Sequence, residues 1–538
     1  MSASASSALS LEKRTIPYSA TGYFGKAILD YLSNDEKLNS FFGRKPDIDA
    51  FKDQIRDKAS SFQHRDALIS VVARHYSKAK LKSASIEILK QPNAFTITTG
   101  HQVCFFTGPL YCFYKIVTVI NTCKILKKEY PEYEFVPVFW MATEDHDFEE
   151  ANHFFLNEGK VDWESGQGGA VGRMNLVGME GALAKMKEML GLGYRSGELE
   201  QLFESTYIKH DNVADATRYL IHHFFGDLGV ICIDGDDPSL KKLMVEKFKE
   251  ELFEGKSFKA VQEINQQLVK DYSLQVTPRE VNLFYLDDEL RERIILSDDD
   301  RYEVLNTKLS FSRDEILEEL ENHPERFSPN VILRPLYQEV ILPNLAYIGG
   351  GGELNYWFQL KGVFESFNVP IPILMLRNSV LVIDQKSSKL MDKLGLTNEE
   401  LFHNSAFELE QELVREASDE ALNLKDAHEK LELLFNEMEH KLKRVNDQLG
   451  KSVRSGYARS ERIVKNLEKK MLRAEKRKHE VLIHRLQLIQ DRLFPREGLQ
   501  ERNLNFAVLY QELGADLVPI LIDHLDPFTK EFTVLRIR

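Results

Sequence analysis

The sequence predicts an α/β fold: a mostly parallel sheet with helices on both faces, from which a long antiparallel helical hairpin projects. Three observations carry this expectation. Residues 94–141 read as strand, loop, helix and strand, the βαβ unit of a parallel sheet. Short apolar runs at 229–234 (GVICID), 345–348 and 371–375 alternate with helical stretches in the same way. Beyond residue 407, apolar residues recur three and four apart along two successive arms, the pattern of a coiled coil.

Taken in order, residues 1–93 form a charged, helical N-terminal segment that closes at Gln91-Pro92-Asn93, a turn signal. The core is expected over 94–400. Its first strand, Ala94 to Thr98, leads through Thr99-Gly100-His101-Gln102 into a loop ending at Gly108. Pro109 then opens a helix to about Glu129, since proline is tolerated at a first helical position. The strand to Met141 follows. An insert spans about 156–330, with short strands near 282–286, 294–296 and 302–305. Leu345 to Ile348 precedes four glycines (349–352) and a helix through Phe367. The hairpin occupies 401–500. Its arms run from Ala427 to Leu449 and from Ile463 to Leu493, joined at GKSVRSG (450–456). Residues 501–538 return to the core as a helix and a strand-like run.

Composition narrows the function. The 538 residues carry 70 Lys and Arg against 84 Asp and Glu, a net charge of −14. That disfavours a nucleic-acid binder, which needs a basic footprint. There is no signal-peptide pattern and no apolar window near the roughly 18 residues of a membrane span. Four cysteines without a CxxC pair form neither a disulfide framework nor a structural zinc site, and a reducing cytoplasm is the expected home.

Three constellations carry candidate chemistry. In TTGHQVCFFTGPLY, Gly100 allows a tight turn past the strand, His101 and Gln102 stand at the loop crest, and the helix start offers free N–H groups to a phosphate. Thr99, Gly108 and Lys115 belong to that seat. It matches neither GxGxxG nor a Walker A loop. In VPVFWMATEDHDFEEANH, Glu144, Asp145 and His146 leave a buried strand together, and adjacent parallel strands are expected to set them in one cleft with His101. They suit acid–base work, binding of an amine or a divalent ion. Asp147 caps the next helix and His153 follows it. In GGGGELNYWFQLK, Gly350 and Gly351 allow close backbone approach, with Glu353, Tyr356 and Lys361 beyond them. Arg377 and Asn378 follow the last core strand, where a guanidinium fork suits a carboxylate or phosphate; Arg334 is a weaker counterpart.

Together, TGHQ…TGPLYCFYK, VPVFWMATEDHDFEEANHFF, GGELNYWFQLK and the coiled coil resemble, over nearly the whole chain, the cysteine-ligase family of bacillithiol biosynthesis. The resemblance implies a Rossmann-like core akin to nucleotidyltransferases and class I aminoacyl-tRNA synthetases, with a connecting insert, and a dimer. It implies joining of L-cysteine to the amine of glucosaminyl malate. The expected route is an ATP-activated cysteine carboxylate, with or without Mg and with no tightly bound metal. The motifs carried over are Gly100, His101 and Gln102; Gly108, Tyr111 and Lys115; Glu144 to Asp147; His153; and Glu353, Tyr356 and Lys361. The synthetase signatures HIGH and KMSKS are not present as written. Two other classes fit the residues: a nucleotide-binding coiled-coil scaffold without turnover, and a metal-dependent hydrolase built on the acidic cluster.

Overall fold

The computed structural model describes residues 10–403, 406–416 and 424–538; positions 1–9 of the N-terminal segment and 404–405 and 417–423 of the hairpin region lie outside it. At its centre five strands run parallel. They are β1 (Ala94–Gln102), β2 (Glu134–Ala142), β3 (Ile231–Asp234), β4 (Asn344–Gly349) and β5 (Ile373–Leu376), in the order β3-β2-β1-β4-β5. Both faces of this sheet are covered, so its strands read as continuous apolar and β-branched runs rather than alternating ones. The strand order reverses between β1 and β4. Such a switch point opens a crevice at the carboxyl ends of the strands, where ligands of doubly wound folds bind.

Register fixes what stands at that edge. Gly100 lies beside Trp140, His101 beside Met141 and Gln102 beside Ala142. The residues just past β2 therefore neighbour the loop past β1. Helix α1 (Tyr111–Glu129) is apolar nearly all round and buried. The C-terminal segment covers it: Asn121 Nδ2 donates to the Ile522 and Leu525 carbonyls at 2.9 and 2.6 Å. The helix begins at Tyr111, not Pro109. Before it, Phe106, Thr107 and Gly108 all take positive φ, and a Cβ at Gly108 would stand 2.7 Å from that of Cys104.

Three expectations about organisation change. The insert is not one block over 156–330, because β3 pairs with β2 in the middle of it. GVICID announces a strand, but its place in the sheet depends on long-range pairing that local pattern does not carry. The second part of the insert holds an antiparallel sheet in which Leu283–Asp287 pairs with Leu290–Leu296. The N-terminal segment is not wholly helical: Leu11–Pro17 pairs with Glu531–Ile537, which runs parallel to Val380–Ile383. With Ile16 its one buried side chain, that strand has almost no periodic signal.

The hairpin consists of α2 (Lys425–Lys443) and α3 (Asp447–Lys478), the latter continuing past a break at His479 as α4 (Glu480–Leu493). The turn falls at 444–446, where the Asn446 side chain caps α3 by accepting from Gln448 N at 2.9 Å. GKSVRSG lies inside α3. Its glycines serve close helix approach instead: a Cβ at Gly456 would sit 3.1 Å from the Phe435 ring. No helix among the described residues is long and apolar enough to cross a membrane.

Candidate functional site

A cavity of about 840 Å³ opens over the switch point. Its floor is the carboxyl edge of the sheet, and its roof is the antiparallel sheet of the insert. His101, Asp145 and His146 all face it, so the two loops foreseen to meet do meet. Lys and Arg outnumber Asp and Glu in its wall, seven to four, in a chain of net charge −14. The wall therefore carries a cationic excess, which attracts negative charge.

The floor is organised by an ion pair across the switch point. Lys115, buried in α1, donates to the Gly100 carbonyl at 2.5 Å and pairs with Glu353 at 2.7 Å. Burial alone would raise the Glu353 carboxyl. The Lys115 ammonium, the Gly350 N–H and the Tyr347 hydroxyl outweigh it and hold the group below its ordinary range. His101 stacks on Tyr111 with ring centroids 5.2 Å apart. Burial, reinforced by Lys115, lowers its pKa to about 3, so the imidazole is neutral. Its Nε2 and the Nε of Arg377 are buried, face the cavity and have no hydrogen-bond partner among the described residues. Buried polar atoms without partners are rare and mark places where a ligand completes the bonding.

The acidic run divides into different jobs. Glu144 lines the cavity but is held by the fully buried Lys241, and burial raises its carboxyl. Asp145 stays at the cavity: its Oδ2 accepts from Gln102 Nε2 at 2.9 Å and its Oδ1 from the His146 N–H at 2.8 Å. The same Gln102 nitrogen donates to Glu150 at 3.0 Å, so one amide aligns two carboxylates. Arg291 Nη1 lies 2.8 Å from His146 Nδ1. A guanidinium only donates, so Nδ1 accepts and the ring proton sits on Nε2. Burial and Arg291 both lower the His146 pKa. His146 therefore presents an N–H donor and not a base.

Several predicted site residues lie elsewhere. Thr99 is fully buried and donates to the Ile348 carbonyl. Gly108 is required by backbone conformation and does not face the cavity. The start of α1 is not free for a phosphate, because the Leu110 N–H donates to the Leu504 carbonyl at 2.7 Å. Asp147 is spent capping Phe148–Ala151, accepting from Glu150 N at 3.1 Å. That helix is only four residues long, so His153 falls on a strand and bonds Asn152, facing a side chamber. Lys361 belongs to a separate helix, Lys361–Ser366, and reaches the Ser40 carbonyl. Asn378 is buried between Thr118 and Asp526. Arg377 does reach the cavity, but its fork is held by Glu501 at 2.8 Å. Gly100, Gln102, Tyr111, Gly350, Gly351, Glu353 and Tyr356 face the cavity as expected.

Sequence reasoning passed over Glu150, Arg279, Arg291, Arg293 and Arg502, all in the wall. Glu150 reads as an ordinary acidic helix start. Arg291 and Arg293 left a signal: residues two apart on a strand share a face. Among the described residues, no group of three or more His, Cys, Asp or Glu is placed to hold a metal ion. All four cysteines are buried and unpaired.

Fold and cavity define a doubly wound α/β protein with a cation-rich crevice and an appended coiled coil. Residues 11–378 match the family model “Bacillithiol biosynthesis BshC, N-terminal Rossmann-like domain”, and residues 380–537 match its “C-terminal coiled-coil domain”. Curated relatives named “Putative cysteine ligase BshC” align almost end to end. That of Flavobacterium johnsoniae is 44% identical, covering 97% of this chain and 99% of its own. That of Flavobacterium psychrophilum is 42% identical with the same coverage, and that of Cytophaga hutchinsonii 37% identical over 97% and 98%. The chain belongs to the BshC family of bacillithiol biosynthesis, which places it among the ligases.

Proposed function

We propose that this protein joins L-cysteine to the amine of glucosaminyl malate in the switch-point cavity, with the cysteine carboxylate activated by ATP. The observation that carries the reading is the wall itself: an excess of cations beside two carboxylates aligned by Gln102. Both substrates and the activating nucleotide bear anionic groups, while the acceptor amine must lose a proton. The cysteine carboxylate attacks the α-phosphate and pyrophosphate leaves. The amine nitrogen then bonds to the acyl carbon as the acyl–oxygen bond to AMP breaks. Asp145 takes the amine proton, while Glu144, locked to Lys241, does not. His146 and the guanidinium groups donate to the developing oxyanion.

ATP supplies the activation that amide formation in water requires. The residues present suit its phosphates: Gly350 to Gly352 line the cavity with bare backbone, and Arg377 Nε stands partnerless beside Gly350. We also read the protein as a homodimer. Leu434, Met438, Ile463 and Leu467 of the hairpin are 41–61% exposed, apolar surface that a second copy would cover. Light scattering at micromolar concentration should give twice the chain mass.

The function is tested by incubating the protein with cysteine, glucosaminyl malate and ATP under reductant and weighing the products. The expected result is the condensed thiol, formed only when ATP is present. Asp145→Asn should lower turnover by about 10²–10⁴-fold with the circular dichroism spectrum unchanged. Full turnover in that variant removes Asp145 from the chemistry, and absence of product with all reactants present overturns the reading.

A further inference from the structure

Beside the main cavity lies a chamber of about 160 Å³. His101, Gln102, Tyr111, Glu150 and Arg502 face both spaces and stand between them. The chamber is about one fifth the size of the main cavity and suits the smallest of the reactants. Its two ends differ. Away from the boundary the wall is polarisable, with Cys104, Pro109, Phe154 and Phe155 beside the polar groups of His153, Arg496 and Asn503. The boundary carries charge of both signs. Glu150 gives one oxygen to Gln102, and the Arg502 guanidinium has no hydrogen-bond or ion-pair partner among the described residues. His101 Nε2 is likewise without a partner there.

The outer wall comes from the base of the coiled coil. Arg496 and Glu497 take φ of +55° and +58°, a conformation that side-chain-bearing residues avoid unless their surroundings enforce it. Here the Arg496 guanidinium lies 3.3 Å over the Phe155 ring and donates to the Asn503 carbonyl at 3.0 Å. Strain of this kind collects at ligand clamps.

We infer that this chamber is the amino-acid subsite. L-cysteine would sit with its ammonium at Glu150, its carboxylate at Arg502 facing the main cavity, and its thiol at the Cys104–Phe155 end. The assignment rests on the ligase reading and names where its smaller substrate sits. Cys104 suits a thiol neighbour. Burial pushes its own thiol up, so it stays protonated and slow to exchange with substrate disulfides. The sulfur and the aromatic rings also give selectivity, since Cys104, Phe154 and Phe155 offer a thiol polarisable contacts that a serine hydroxyl uses less well.

The test is calorimetric titration of the full-length protein with L-cysteine and with L-serine, under reductant, with and without ATP. Cysteine should bind at least tenfold more tightly than serine. Phe155→Trp, which fills the chamber, should weaken cysteine at least tenfold, and Glu150→Gln, at an exposed side chain, severalfold. If both variants bind cysteine as the wild type does, or the wild type does not bind it at millimolar concentration, the subsite is overturned. If the variants lose cysteine while the wild type forms no condensed thiol, the subsite stands and the ligase reading fails.

Discussion

The floor and the roof of the cavity are both cationic, but their charges are in opposite states. On the floor the charges at the sheet edge have internal partners: Lys115 with Glu353, Arg377 with Glu501, Glu144 with Lys241 beneath it, and Arg334 with the Gln338 amide at 3.1 Å. On the roof Arg291 is tied to Ser328, to the Pro329 carbonyl and to His146. The guanidinium groups of its neighbours Arg279 and Arg293 have no hydrogen-bond or ion-pair partner among the described residues, although both side chains line the cavity. The difference separates two uses of one residue type. Paired charges at the sheet edge fix the geometry of the crevice. Unpaired charges on the insert are left for the ligand.

The largest effect should come from breaking a floor pair. Lys115→Ala leaves the half-buried Glu353 carboxylate with only the Gly350 N–H and the Tyr347 hydroxyl, a loss of about 1.5–3 kcal/mol for the charged hydrogen bond. The acid side supplies the sign. A carboxyl held below its ordinary 4.5 contributes stability that is present at neutral pH and lost as pH falls through the lowered folded value. Lys115→Ala should therefore lower the melting temperature at pH 7 and flatten its decline in acid. A variant as stable as the wild type would show that the floor is not held by this pair.

The floor was largely legible in the sequence and the roof was not, for a physical reason. The floor belongs to βαβ units, whose strands, turns and helix starts leave contiguous motifs. A parallel register then brings the ends of adjacent strands together without further information. His101 and Asp145 were placed in one cleft on that argument alone. The roof is assembled from residues far away in sequence. Arg279 and Arg293 reach the cavity only because an antiparallel sheet folds over it, and nothing local announces that. The errors on the floor have the same root. Thr99, Asn378 and Glu144 sit in the right motifs, but their partners Ile348, Thr118 and Lys241 come from other segments and hold them. In the hairpin, glycines read as a turn are the sites where two helices touch, a distinction that spacing alone does not make.

A middle-sized effect should come from the half-buried roof arginine. The Arg293 guanidinium has no protein partner to lose, so Arg293→Ala should leave stability within about 0.5 kcal/mol. A hydrogen bond to a charged group contributes roughly 1.5–3 kcal/mol. The variant should therefore bind the anionic acceptor about ten- to a hundredfold more weakly, read as a rise in KM with the melting temperature unchanged. The reverse result, lost stability with KM intact, would erase the distinction between floor and roof.

Arg279 should give the smallest effect, and its size tests the same distinction by salt. It faces the cavity but is exposed at the rim. A charge in that position acts through water, where an exposed pair contributes about 0–1 kcal/mol. Arg279→Ala should raise KM less than tenfold. Screening shortens to about 3 Å at 1 M salt, against 10 Å at 0.1 M, so the small Arg279 effect should vanish at high ionic strength. The Arg293 effect should largely survive, because a half-buried contact is screened less. If salt removes both effects equally, the two arginines work as one diffuse field, and the roof holds no site of its own.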